Sequence, residues 1–401
     1  MNSKSSQRTA KRTLLLSTAV AAFVLLTGCT TVKGWFGGKD KGGDNAASKP
    51  AELVEFAPTA TVTKLWSAKA GDGENRIGAR QGPAVADGHV YAAAVEGGVR
   101  AFDLQTGATV WTYSSKLPLS GGPGAGDGLV VVGSLEGDVI ALDASTGSEK
   151  WKAKVENEVI AAPAIGQGLV LVHSNDGRVS AFDETTGERR WFWNHDLPAL
   201  SVRGNDSPLI VPGLAFIGND DGTLSALSLS DGRPQWEQTV AEATGRNDLE
   251  RMADVDGTPA LDGITLFASS YKGETVAIDG PSGRVDWSAH SGGPGRVGVG
   301  SDRVMVADAS GTVWALDKAT GGVLWQQPGL ARRNVSGTAV QGDYAVVGDY
   351  DGYLHWLNLS DGSFAARQRA GGDAIKAAPV VVDGVLVVQT TGGEISAWRL
   401  Q

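Results

Sequence analysis

The chain has 401 residues, 41% of them hydrophobic, with 56 glycines, one cysteine and a formal net charge of −10. That hydrophobic content supports a packed core and excludes general disorder, while glycine at about twice its ordinary level of roughly 7% points to many tight turns rather than long helices. The lone cysteine excludes an internal disulfide, a cysteine-based zinc site and a CxxC redox motif, and the acidic balance opposes nucleic-acid binding.

The N-terminus is built differently from the rest. Residues 1–28 carry Lys4, Arg8, Lys11 and Arg12 and no acid, so the remainder holds 31 basic against 45 acidic residues, a charge of −14. The apolar run 13–26 is short for a membrane span, which needs about 20 residues. Leu26-Thr27-Gly28-Cys29 closes it. A charged start, an apolar middle and small residues at the cut make a secretory signal. The Leu-small-Gly-Cys ending resembles a bacterial lipobox. On that reading residues 1–28 are a signal peptide, and Cys29 carries a diacylglycerol with an acylated amino terminus. Several acyl chains, at about 0.8 kcal/mol per buried methylene, give a lasting anchor. Thr30, where an Asp would favour retention at the inner membrane, points to the outer one. Residues 29–60, with glycines among alternating Lys and Asp, read as a lipidated flexible tether.

A repeat fills the rest. Its pattern is Ala–Leu/Phe–Asp–x–x–Thr/Ser–Gly–x–x–x–Trp. It ends at Trp111, Trp151, Trp191, Trp236, Trp287 and Trp325, and a further copy reads Trp356-Leu357-Asn358 with Ala366 in the Trp slot. An eighth copy starts at Ala397 and the chain then stops. A second landmark precedes each copy: Pro83, Pro123, Pro163, Pro208, Pro259, Val297, Thr338 and Pro379. From landmark to Trp slot is 28 positions in every complete copy, so one unit repeats without internal insertion. Strand-like pieces such as Leu129-Val130-Val131-Val132 alternate with turn signals such as Asp87-Gly88 and Thr106-Gly107. Four short strands per period of roughly 40 residues make a propeller blade. The repeat Asp accepts backbone N–H bonds in its turn, Gly takes positive φ, and Trp fills the wedge between blades. The expectation is an all-β, eight-bladed propeller over residues 61–401, four antiparallel strands per blade. The last copy lacks its outer strand, and Thr61–Trp66, with its own unassigned Trp, is expected to supply it and remove an open sheet edge.

The chemistry-bearing residues are sparse. The histidines are scattered, HxH, HExxH, Gly-x-Ser-x-Gly and P-loop patterns are absent, and Gly121–Gly126 falls on a blade landmark with no helix after it. The expectation is no catalytic residue, no metal and no cofactor. Length variation is confined to the connection between blades, and the two long neighbours are the 17- and 23-residue spacings after Trp191 and Trp236. The first holds Asp196–Gly204 and the second Arg246–Asp256. Leu, Val, Met, Arg and Asp interleaved there suit a protein interface. The rival reading tucks the apolar members onto the propeller and leaves the charges solvated.

The Trp-docked repeat resembles the quinoprotein dehydrogenases, and the whole arrangement more closely resembles the BamB family, lipoproteins of the outer-membrane β-barrel assembly machinery. The specific marks are Leu200-Ser201-Val202-Arg203-Gly204, Asp254-Val255-Asp256-Gly257-Thr258-Pro259 and Gly348–Trp356. The resemblance implies a non-catalytic scaffold at the periplasmic face of the outer membrane. It implies docking on the periplasmic POTRA domains of the barrel-inserting subunit BamA, with Leu200, Val202, Arg203, Asp254 and Asp256 as the contact. Val202 stands where Leu is common. A quinone-dependent oxidoreductase and a periplasmic ligand-binding propeller remain the alternatives. The quinoprotein enzymes are longer and often carry paired cysteines, which this chain lacks.

Overall fold

Every repeat folds as one antiparallel four-stranded sheet with strands in chain order, and there are eight. The computed structural model describes residues 49–74, 78–202 and 207–401. The signal peptide, Cys29, residues 30–48 of the tether and Arg203 therefore lie outside the described residues. Blades 1 to 7 span 84–113, 119–154, 164–194, 209–239, 260–289, 298–327 and 339–369. Blade 8 is Val380–Val382, Val385–Gln389 and Glu394–Leu400, completed on its outer edge by Val62–Lys69. That N-terminal strand pairs antiparallel with the C-terminal one, Val62 opposite Leu400 and Trp66 opposite Ala397. The expected closure is thus present, and it joins the two ends of the ring.

Strand alternation sends one face of each blade to each neighbour, so the core is divided. Eight apolar layers fill the eight gaps between consecutive blades, the last linking blade 8 to blade 1 through Trp66, Val90, Phe102 and Val387. The repeat motif explains how each gap is sealed. Within a blade the motif Ala sits opposite the Trp, as in Ala101 with Trp111 and Ala141 with Trp151, and a bulge follows at once. The Trp then leans onto the Thr-Gly turn of the next blade. Trp111 donates its Nε1–H to Ala144 O at 2.8 Å, and a Cβ on Gly147 would lie 2.5 Å from its ring. The same bond and the same glycine approach recur from Trp66 to Trp325. The motif Gly is therefore required twice, for its positive φ (+71° at Gly147) and for the ring above it. The motif Asp acts as expected: Asp143 Oδ1 accepts from the backbone of Ser145 and Thr146 and from both hydroxyls.

Ala366 follows from the same geometry. Blade 8 takes its outer strand from the N-terminus, so it has no Thr-Gly turn for a Trp of blade 7 to dock on. The large and small partners are exchanged instead, Trp356 opposite Ala366, and Trp356 packs edge-on against Trp398 in the seam. The packed body also starts earlier than the sequence reading placed it. Ala51 N–H donates to Ala331 O, Phe56 stacks on Phe364 with ring centroids 5.5 Å apart, and Thr59 and Ala60 donate to Ala365 O. Residues 51–60, assigned to the tether, therefore lie along blade 7. The buried group that receives them is in the Gly348–Trp356 motif: Asp349 accepts from Arg333 Nε at 2.7 Å and contacts His355 Nε2 at 3.0 Å, and Arg333 Nη1 donates to Ala51 O. Burial pushes the His355 pKa down. Among the described residues no helix is long and apolar enough to cross a membrane.

Candidate docking site

In an antiparallel four-stranded blade the connection to the next blade and the turn between the second and third strands emerge on the same face. The two long connections, 195–208 between blades 3 and 4 and 240–259 between blades 4 and 5, therefore flank blade 4 on one face. The turn of blade 4 between them, 219–222, reaches the same place.

Three carboxylates meet there: Asp220 from the blade 4 turn and Asp254 and Asp256 from the second connection, with one oxygen of each within 4.8 Å of the others. They hold the first connection from below. Val202 N–H donates to Asp254 Oδ1 at 2.7 Å, and burial raises the Asp220 pKa, with a hydrogen bond from Ser201 among the contacts that work the other way. Ser207 N–H donates to Thr258 Oγ1, a second tie between the two connections. Their own backbone is pinned in turn, Val255 N–H to Asn219 O and Tyr271 N–H to Asp254 O. Leu200 lies just before this clamp and is 44% exposed. Leu197 is exposed on the same connection, and Leu249 is 68% exposed on the other.

Burial changes the role of the two motif aspartates. Asp254 is fully enclosed and Asp256 nearly so, so neither presents its side chain to a partner. Asp254 instead holds the Val202 backbone from beneath. The electrostatics fit that role. Burial and the neighbouring Asp220 charge raise the Asp254 pKa to about 6, with the Val202 bond and Arg80 working the other way. Asp254 Oδ2 has no hydrogen-bond partner among the described residues. Arg80 reaches Asp256 at 3.6 Å. These three carboxylates are the group that could hold a cation, and proton uptake by Asp254 together with Arg80 relieves the same repulsion without one.

Sequence reasoning paired the two connections by insertion length and named Val202 and Asp254, which the structure joins. It missed Asp220, which belongs to a short turn with no repeat anomaly. It also missed the helical turn Asp248–Arg251 that carries Leu249. A signal for that turn was present in the Asn-x-x-Glu spacing: Asn247 caps it by accepting from Glu250 N–H at 2.9 Å, and the Asn247 side-chain amide donates to Glu250 Oε1.

Fold and site define an eight-bladed propeller whose most developed surface is a braced pair of connecting loops. A family model described as "Outer membrane protein assembly factor BamB" matches residues 45–118, 95–327 and 309–400. The chain belongs to the BamB family. It is 61% identical over 385 residues to the outer membrane protein assembly factor BamB of Xanthomonas campestris pv. campestris, covering 94% of this chain and 95% of that one. It is 34% identical to that of Escherichia coli K12, covering 86% and 92%. The crystal structure of BamB from Moraxella catarrhalis superposes with a TM-score of 0.77 at 27% identity, over 84% of this chain and 100% of that chain. A quinohemoprotein alcohol dehydrogenase from Comamonas testosteroni shares the fold, with a TM-score of 0.66 at 16% identity over 87% of this chain and 78% of its own.

Proposed function

We propose that the chain is a non-catalytic scaffold of outer-membrane protein assembly, held by a lipid on Cys29 at the periplasmic face of the outer membrane. It docks on the POTRA domains of the barrel-inserting subunit BamA and assists folding and insertion of outer-membrane proteins. Family membership supports the assembly role. The observation that carries the docking site is the bond from Val202 to buried Asp254, which fixes the loop bearing exposed Leu200. A rigid loop loses little entropy on binding, so an apolar side chain on it contributes more of its burial to affinity. Leu200, together with exposed Leu249 on the other long connection, packs on the docked surface. Arg203 supplies charge-assisted hydrogen bonds to it. Asp254 and Asp256 act through the loop. The quinoprotein neighbours support the scaffold and nothing of their chemistry.

Co-purification from detergent-extracted envelopes tests the reading. The chain with Leu200→Ala and Arg203→Ala should fold normally and lose the barrel-inserting subunit. Recovery of that subunit at the unaltered level by the folded variant refutes the site.

A further inference from the structure

A second feature lies on the propeller axis and does not depend on the docking reading. A cavity of about 170 Å³ opens where the innermost strands converge. At about 30 Å³ per water it has room for several waters. Its charged lining is Arg80, Arg296, Lys376 and Asp256, each from a different connection between blades. Two of the three cations are engaged. Arg80 pairs with Asp256 at 3.6 Å and donates to Pro294 O at 2.6 Å, and Lys376 bonds the enclosed carboxylate of Glu74.

Arg296 is different. Its guanidinium makes no hydrogen bond and no ion pair with any described residue, yet water reaches it from the cavity. Surrounding protein strips enough hydration to pull its pKa down, with no acid opposing the shift. Its backbone cannot move aside. A Cβ on Gly257 or on Gly337 would lie 2.8 or 2.6 Å from Arg296 N, so the glycines of the two flanking connections clamp it. The chain thus holds an unmatched, solvent-exposed five-donor cation on the wall of the cavity, with two further positive groups on the same wall, inside a body of net negative charge. A planar or tetrahedral oxyanion is the ligand that satisfies such a group.

We propose that the axial cavity binds one small oxyanion, of the size of acetate or phosphate, with Arg296 as its principal donor and Arg80 and Lys376 supplying the surrounding positive field. The ligand proposed is a free ion.

The test uses the whole mature chain and inorganic phosphate, titrated calorimetrically and followed by thermal unfolding, with sodium chloride replacing phosphate to hold ionic strength constant. The expected result is a saturable heat and a saturable rise in Tm, with affinity falling at least tenfold in Arg296→Gln. Arg233→Gln, an exposed arginine on blade 4 paired only with Asp231, should bind as the unaltered chain does. In phosphate-free buffer Arg296→Gln should melt at or above the unaltered Tm, because the side chain it replaces has no partner to lose. Absence of saturable binding overturns the proposal. So does equal binding by Arg296→Gln, which would place the ion elsewhere. A lower Tm of that variant without phosphate also overturns it, because the guanidinium would then be structural.

Discussion

Replacing Asp254 by Asn removes a charge from the most enclosed point beneath the docking loop and keeps the oxygen that Val202 needs. The magnitude follows from linkage. A buried carboxyl with a native pKa of about 6 against an ordinary value near 3.9 differs by about two units, or about 3 kcal/mol at 1.36 kcal/mol per unit. The sign is opposite to the common case of a salt-bridged acid. The folded chain holds the proton more tightly than the unfolded one, so the contribution is complete below pH 4 and is lost as pH rises through 6. Asn cannot ionise and does not lose it. The stability difference between Asp254→Asn and the unaltered chain should therefore be near zero at pH 4 and reach about 3 kcal/mol in favour of Asn above pH 7. For a packed body of about 350 residues, at about 2.1 cal/mol/K of unfolding entropy per residue, that is about 4 °C in Tm. Paired thermal melts from pH 4 to pH 8 measure it, and taking the difference at each pH removes the other titrating groups. A Tm difference that stays flat across this range would refute the argument. Asp254→Ala is the counterpart: it removes the acceptor of Val202 N–H, a bond to a charged group of about 1.5–3 kcal/mol. It should weaken recovery of the docked partner, which Asp254→Asn preserves.

The remaining predictions concern the interblade seams. Gly147→Ala and Gly128→Ala share a positive φ, but only the first would drive a Cβ into a Trp ring, the second having open space around it; urea unfolding should show Gly147→Ala less stable by a further 1–3 kcal/mol or so. Trp111→Ala should cost about 3–5 kcal/mol by the same measurement, because it leaves a cavity between blades 1 and 2 and leaves the Ala144 carbonyl only the longer bond from the Tyr91 hydroxyl. Ala366→Trp restores the repeat letter and should nevertheless destabilise by about 1–3 kcal/mol, since Trp356 already occupies the space opposite; a Tm at or above the original would contradict the exchange of large and small partners. Removing residues 1–60 rather than 1–48 uncovers Phe364 and strips Arg333 and Arg367 of the Ala51 and Val54 carbonyls; differential scanning calorimetry should place its Tm clearly lower.

Most of the architecture was legible in the sequence because a propeller is a local code repeated. A blade needs turns at fixed spacing, an aspartate to satisfy turn amides and one large ring per gap, and each of these lies within about 40 consecutive residues. Even the closure could be read, from a missing strand at one end and a spare one at the other. The spacing also located the two long connections that flank blade 4, because an insertion stands out against a constant period. What only the tertiary structure decided is which distant groups meet. Asp220 joins Asp254 and Asp256 across the face of blade 4, and this turns two presumed contact residues into buried supports. Ala366 lacks its Trp because the turn it would need belongs to a blade closed by the opposite end of the chain. Arg296 looks like any surface arginine in the sequence until the ring places it on the wall of the axial cavity with Arg80 and Lys376 from other connections. The physical reason is the same in each case. Backbone turns and strand pairing are set by near neighbours, whereas the burial and pairing of a charge depend on residues that the ring brings together from separate blades.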